Sequence, residues 1–260
     1  MKQPLITVVT VCYNVAATIE KTMLSVINQT YANIEYIIID GGSTDGTVDI
    51  IKKYADKIAY WVSEPDKGIY YAMNKGIKMA TGEWINFMNA GDEFYDKDVI
   101  KKFIPLINEN TTIAYGDTMM IYSWGKMLRE NLPIEAMTHS MVPGHQATLI
   151  NTEYHRKHLY DISYKSSADF NFFHKAYLSK VLFQYIPIVM VNYEAEQGMS
   201  SVNFITVHKE NARVLGIENT LKWKFSMTIN IGIYYLKKII KTMLPNRTKV
   251  YIKRSKQNVQ

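Results

Sequence analysis

Trp84-Ile85-Asn86-Phe87-Met88-Asn89-Ala90-Gly91-Asp92-Glu93-Phe94 runs as an apolar strand into a turn that ends on a carboxylate. Asn, Gly and Asp each favour tight turns, so a strand stopping this way presents its charge at the sheet end, where binding groups collect. Taken alone, the stretch is satisfied by a strand and a turn with Asp92 solvated. Its neighbours argue for more. Residues 5–12 are a β-branched run suited to a strand covered on both faces, and after the Tyr13-Asn14 turn Ile19, Met23, Val26 and Ile27 recur at helical spacing. Residues 34–40 repeat the strand. The turn from Gly41 to Thr47 then offers caps for a helix carrying Val48, Ile51 and Tyr54. Residues 58–63 predict a third strand and residues 69–80 a third helix, closed by Gly82 in a left-handed position.

Such alternation predicts an α/β fold with a Rossmann-like, mostly parallel sheet flanked by helices, because parallel neighbours need crossover connections. In these sheets ligands bind outside the carboxyl ends of the strands. Tyr13-Asn14, Asp40-Gly41, Glu64-Pro65-Asp66 and Asn89 to Asp92 are therefore expected along one rim.

Composition sets the outer limits. The chain has 260 residues, 47% apolar and 21% charged, which marks a globular protein with room for one large domain or two small ones. Cys12 is the single cysteine, so no disulfide framework exists, and the seven residues from Leu5 to Val11 are too few for a signal-peptide core. A cytoplasmic location is expected. No uninterrupted apolar stretch reaches the length of a spanning helix. The net charge of +6 is uneven: residues 219–260 hold ten Lys or Arg and no acid, leaving 20 basic against 24 acidic residues in the rest.

Beyond Asp96, a candidate cap for a helix over residues 97–108, the alternation breaks down. Residues 113–117, 119–122 and 126–129 read as short strands, and another begins at His145. A helix over residues 169–178 and a strand over residues 182–191 complete this half. The expected organisation is a first half over residues 1–95, a smaller mixed region over residues 96–203 of the same domain that covers the rim, and a helical basic C-terminal segment over residues 204–260. Residues 221–244 mix apolar and aromatic residues with flanking lysines. They suit either a core-packing helix with a solvated tail or a helix lying on an anionic membrane, and the uncompensated charge favours the membrane. A peripheral place on the inner face of the cell membrane follows.

Two carboxylates at the rim carry candidate chemistry. Asp40 closes a strand of five apolar residues in six, where a carboxylate accepts from the N–H of a base or from ribose hydroxyls. Asp92 follows the fourth strand and is an oxygen ligand for a hard cation such as Mn2+ or Mg2+, which takes one or two carboxylates and fills its shell from phosphates and water.

Ile6 to Asn14, Ile38-Ile39-Asp40-Gly41-Gly42-Ser43-Thr44-Asp45-Gly46, Asn74 to Glu83 and the acidic turn at 89–92 together resemble the family 2 glycosyltransferases with the GT-A fold, in that family's order and spacing. His145-Gln146, Ala168-Asp169 and Gly198-Met199-Ser200 resemble more loosely its surface-polysaccharide, colanic-acid-type branch. The resemblance implies a nucleotide held by Val11, Tyr13, Asp40 and Asp66, a metal at Asp92, and Asp169 as catalytic base. His145, Gln146, Gly198 and Ser200 would border the diphosphate or the acceptor. It implies inverting transfer from a UDP- or GDP-linked sugar to a glycan or lipid-linked glycan. Two departures stand out: the family's Asp-x-Asp-Asp turn is Asn89-Ala90-Gly91-Asp92 here, and Gly41 stands where many relatives carry a second aspartate.

A competing reading is a catalytically silent nucleotide- or glycan-binding protein that lost its acidic turn; retention of Asp169 argues against it. A dinucleotide-dependent oxidoreductase is disfavoured because the turn Val11-Cys12-Tyr13-Asn14-Val15 lacks the glycine fingerprint. Nucleic acid is not an expected partner, since the basic residues cluster in one apolar-flanked tail.

Overall fold

The computed structural model describes residues 3–196 and 204–243. Gly198 and Ser200 lie outside the described residues. The first half alternates as its hydrophobic pattern requires: β1 (Ile6–Cys12), α1 (Ile19–Ile27), β2 (Ile34–Asp40), α2 (Thr47–Lys53), β3 (Tyr60–Ser63), α3 (Ile69–Met79) and β4 (Trp84–Phe87). β1 is buried throughout and pairs in parallel with both β2 and β4, while β2 pairs in parallel with β3. Alternate residues feed two cores. Ile6, Val8 and Ile38 pack with α1 through Ile19, Met23 and Val26, whereas Val9, Ile37 and Ile39 pack with α3 through Tyr70, Met73 and Ile77. All four strand ends reach the same rim.

The second half continues the same sheet out of sequence order. It comprises β5 (Glu93–Phe94), α4 (Val99–Phe103), β6 (Ile113–Tyr122), β7 (Gly125–Arg129), β8 (Thr148–Asn151), α5 (Thr152–Lys157), α6 (Ala168–Leu178), β9 (Phe183–Glu194), α7 (Phe204–Val214) and α8 (Leu221–Met243). Among the described residues the strands run β3-β2-β1-β4-β8-β6-β9-β5, with β7 on the outer part of β6. β8 is antiparallel to both β4 and β6, and β9 is parallel to β6.

Several local expectations need correcting. Residues 113–122 are one strand with a bulge near Asp117, because β9 supplies a continuous partner across the irregularity. The strand expected from His145 opens as a 3-10 turn over His145–Ala147 and extends only from Thr148. The helix expected over residues 97–108 is α4 followed by the 3-10 turn Ile104–Leu106, where Pro105 removes a backbone donor. Gly82 is not left-handed. A Cβ there would lie 2.6 Å from the Leu5 carbonyl oxygen, so glycine permits the close approach to the chain entering β1.

α8 has two apolar faces. Met227 is buried against the body and Tyr234 stacks on Phe204 of α7, with ring centroids 5.1 Å apart. Leu221, Phe225, Ile229, Ile233 and Leu236 are all exposed, Leu221 at 85% and Phe225 at 72%. Among the described residues no helix is long and apolar enough to cross a membrane.

Candidate active site

The loops after β1 and β2 are stitched together before any ligand arrives. The Asn14 amide N–H donates to Ser43 Oγ (2.7 Å), the Thr44 N–H to Asn14 Oδ1 (2.9 Å), and the Ala16 N–H to Asp45 Oδ2 (2.9 Å). Asp45 also caps the start of α2 through the Thr47 N–H and hydroxyl. Asp40 lies beneath this lattice with no exposed surface. Its carboxylate accepts from the Gly42 and Ser43 N–H groups, the Ser43 hydroxyl (2.5 Å), the Ser63 hydroxyl (2.6 Å) and the Cys12 thiol. Burial works to raise its pKa, but the bonds from Ser43 and Ser63 outweigh it and hold the carboxyl below its ordinary value. Asp40, expected to hold a nucleotide, keeps its carboxylate bonded to its own loop, to Ser63 and to Cys12. Its oxygens are spent inside, where they shape the loop that a ligand would meet.

Val11 contributes a buried side chain to the core on the α3 side. Tyr13, by contrast, is 63% exposed, and its ring lies beside Gly41 and Asp66. Asp66 is exposed on the loop entering α3, with Oδ1 accepting from the Gly68 N–H at 2.7 Å. A cleft of about 240 Å³ opens next to it, bounded by Ile39, Glu64, Tyr71 and Lys75.

At the end of β4 the turn is tied from several sides. The Thr22 hydroxyl on α1 donates to the Asp92 carbonyl (2.8 Å) and accepts from the Gly91 N–H. Asp92 Oδ2 accepts from Gln146 Nε2 (2.7 Å) and Oδ1 from the Glu194 N–H (3.1 Å). Burial pushes its carboxyl up to about 7 against those two bonds, and the charges of Glu194 and Glu93 add to the rise. Gln146 reaches Asp92 because Asn86, fully buried in β4, donates to the Gln146 and Thr148 carbonyls and anchors the 3-10 turn where β8 peels away. Nothing in the local pattern marks Asn86 or the Glu194 amide. Only a polar residue at the centre of an apolar strand could have drawn attention to the former.

Among the described residues no group of three or more His, Cys, Asp or Glu side chains could hold a metal ion. The turn offers Asp92 and the amide oxygen of Asn89, which is buried without a hydrogen-bond partner. Both carboxylate oxygens of Asp92 already accept hydrogen bonds, so a cation at this turn would compete for them with Gln146 and the Glu194 N–H and would draw its remaining ligands from a diphosphate and water.

Asp169 sits in the first turn of α6. Its Oδ1 accepts from the Phe170 N–H (2.9 Å) and the Tyr70 hydroxyl (3.0 Å), while Oδ2 has no partner among the described residues. Burial raises its carboxyl above the ordinary carboxylate range despite these bonds, and the charge of Glu210 adds to the rise. Glu210 of α7 also accepts from the Lys165 and Ser166 N–H groups, fixing the chain that enters α6. On the other side, Asn74 of α3 holds the backbone of Tyr160 through both its amide groups.

His145 is not at a ligand surface, which corrects its assignment to the diphosphate or acceptor border. It is buried, stacks on Phe87 at 5.2 Å and bonds the Tyr160 hydroxyl through Nε2 at 2.7 Å. Burial lowers its pKa to about 4, so it is a neutral core imidazole.

Residues 7–182 match Glycosyl transferase family 2. A PGL/p-HBAD biosynthesis glycosyltransferase of Mycobacterium tuberculosis is 28% identical over 216 residues, covering 77% of this chain and 81% of the relative. Two solved structures share the fold at low identity. S. aureus TarS 1-349 in complex with UDP-GlcNAc superposes with a TM-score of 0.65 at 18% identity, covering 81% of this chain and 66% of that one. The mannosyltransferase PcManGT from Pyrobaculum calidifontis, in complex with GDP-Man and Mn2+, also gives 0.65, at 15% identity over 97% and 85%. The chain is a member of glycosyltransferase family 2, and its sheet and flanking helices form the GT-A fold.

Proposed function

We propose that this protein moves one sugar, with inversion, from a UDP- or GDP-linked donor to a glycan or lipid-linked glycan in surface polysaccharide synthesis. The observation that carries the reading is Asp169, raised in pKa and held through one oxygen, with the other free at the start of α6. Its free oxygen takes the proton as the acceptor hydroxyl oxygen bonds to the anomeric carbon, and the bond from that carbon to the diphosphate breaks. A pKa above the ordinary value makes Asp169 a stronger base than a solvated aspartate. Tyr13 and Asp66 bracket the base of the donor beside Gly41. Asp92 and Asn89 would hold a divalent cation, Mn2+ or Mg2+, which would supply charge neutralisation to the leaving diphosphate. The donors named in the complexes of the two fold neighbours support a nucleotide-sugar donor. The exposed apolar row of α8 and the ten basic residues of the acid-free segment 219–260 support a membrane-side location.

The test is transfer from a panel of nucleotide sugars to a lipid-linked acceptor fraction, with Mn2+, by the wild type and by Asp169→Asn. The variant is expected to lose about 10²-fold or more in kcat while still binding the donor. Undiminished turnover would remove Asp169 from the role of base. Donor binding by the wild type without transfer to any acceptor would favour a silent binding protein.

A further inference from the structure

α6 starts without a cap of its own. Ser167 is its N-cap residue, yet the hydroxyl makes no capping bond and lies buried without a hydrogen-bond partner among the described residues. The loop that leads into the helix is held from outside instead. Glu210 of α7 accepts from the Lys165 N–H through Oε1 and from the Ser166 N–H through Oε2, both at 2.8 Å. Three residues further along α7, Arg213 donates from Nη2 to Ser163 Oγ (2.9 Å), and its guanidinium carbon lies 4.3 Å from the centre of the buried Tyr164 ring. Positions three apart on a helix share a face, so residues 163–166 are gripped by a single face of α7. Asp169 follows directly behind them in the first turn of α6.

We propose that Glu210 and Arg213 are positioning residues for Asp169: α7 supplies from outside the cap that α6 lacks, and so sets where the base meets the acceptor hydroxyl. The inference rests on the reading of Asp169 as base and goes beyond it, since α7 lies outside residues 7–182 that match the family. The grip is stiff because α7 is itself fixed. Ala212 is buried, and Val214 and Leu215 pack on the core shared with α3. The helix ends in a Schellman motif: the Gly216 N–H donates to the Arg213 carbonyl and the Ile217 N–H to the Ala212 carbonyl, with Gly216 in the left-handed conformation (φ 67°) that the motif requires. A carboxylate that accepts two adjacent backbone N–H groups, one on each oxygen, fixes the direction of the chain as well as its position. Both bonds break if the loop turns. Without them the uncapped start of α6 frays, and a displacement of about 1 Å at Asp169 is enough to slow transfer severely.

The experiment compares the full wild-type chain with Glu210→Ala, Glu210→Gln and Arg213→Ala by two readouts. Hydrogen exchange at the Lys165 and Ser166 amides is expected to quicken at least about tenfold in Glu210→Ala, with β1 to β4 unchanged, as fits the loss of bonds to a charged group. Transfer from the nucleotide-sugar panel to the lipid-linked acceptor fraction is expected to fall about tenfold or more in kcat, with donor KM within about twofold of wild type. Arg213→Ala should lower kcat in the same way, at unchanged donor KM. Glu210→Gln keeps the shape and one acceptor oxygen, and is expected to fall between wild type and Glu210→Ala in both readouts. A role in stability alone would lower the melting temperature and leave kcat per folded molecule unchanged. That result, or unchanged exchange at Lys165 and Ser166, would overturn the inference and leave the glycosyltransferase reading standing. Absence of transfer by the wild type with every donor would overturn that reading, and the inference with it.

Discussion

Asp169 Oδ1 is shared by a backbone N–H and the Tyr70 hydroxyl, so the carboxylate is oriented with its second oxygen spare. Tyr70 is itself buried, and burial with the neighbouring Asp169 charge raises its pKa well above the ordinary phenol value, so it serves as a neutral donor at every working pH. Tyr160, whose ring lies 5.5 Å from that of Tyr70, and Glu210 are further ionisable groups coupled to Asp169 among the described residues. Removing the Tyr70 hydroxyl takes away a bond that favours the ionised carboxylate. Because a base must be ionised, activity rises with pH through the Asp169 pKa. Tyr70→Phe is therefore expected to move that rise to higher pH by about one unit, the worth of one hydrogen bond to a charged group. The pH profile of kcat, with donor KM recorded alongside, tests this; an unmoved profile would reduce Tyr70 to a packing residue. The pairing was not legible in the sequence, since the two residues stand 99 positions apart and Tyr70 reads locally as one more apolar position on a helix.

The elements of the first half were legible because each declares itself locally. β1, β2 and β4 are apolar runs bounded by turn residues, and α1 and α3 repeat their buried positions every three to four residues. α8 shows what local pattern leaves open. Its residues were compatible with a core helix and with a membrane helix; the structure turns Met227 and Tyr234 inward and leaves a row from Leu221 to Leu236 exposed. An exposed apolar row with exposed Lys222 and Lys224 in a segment free of acids suits the interface of an anionic bilayer. The full chain is expected to co-sediment with vesicles containing phosphatidylglycerol, less so at high salt. The double substitution Phe225→Glu and Ile229→Glu should weaken this at least tenfold, since burying two large apolar side chains is worth about 3 kcal/mol or more. No binding to anionic vesicles at low salt would sink the membrane assignment, and concentration-dependent dimers lost in the double variant would assign the row to a second copy.

At the scale of the whole molecule, two neutral histidines link the fold to pH. Burial lowers His145 to about 4 and His155 to about 3 from an ordinary 6.5. Below pH 6.5 the unfolded chain binds protons that the native core refuses, so stability is lost as pH falls toward the folded values; Asp92, raised to about 7, works in the opposite sense over much of the same window. His145→Gln, which can keep a bond to Tyr160, is expected to make the loss shallower by up to about 1.4 kcal/mol per pH unit between roughly pH 4 and 6.5. Urea denaturation across that range measures it, and parallel slopes for variant and wild type would show that His145 does not titrate on unfolding. The same buried His145 had looked like a site residue, because a motif records which residue is present and not which way it points. The sequence alone determined the parallel half of the sheet, the rim at its strand ends and the family, since hydrophobic period and turn chemistry are local properties. Tertiary structure alone decided that Asp40 faces inward, that Gln146 and the Glu194 amide cap Asp92, and that Asp66 keeps one oxygen free beside Gly41. Each depends on chain segments distant in sequence competing for the same few hydrogen bonds, and that competition is settled only when the sheet closes.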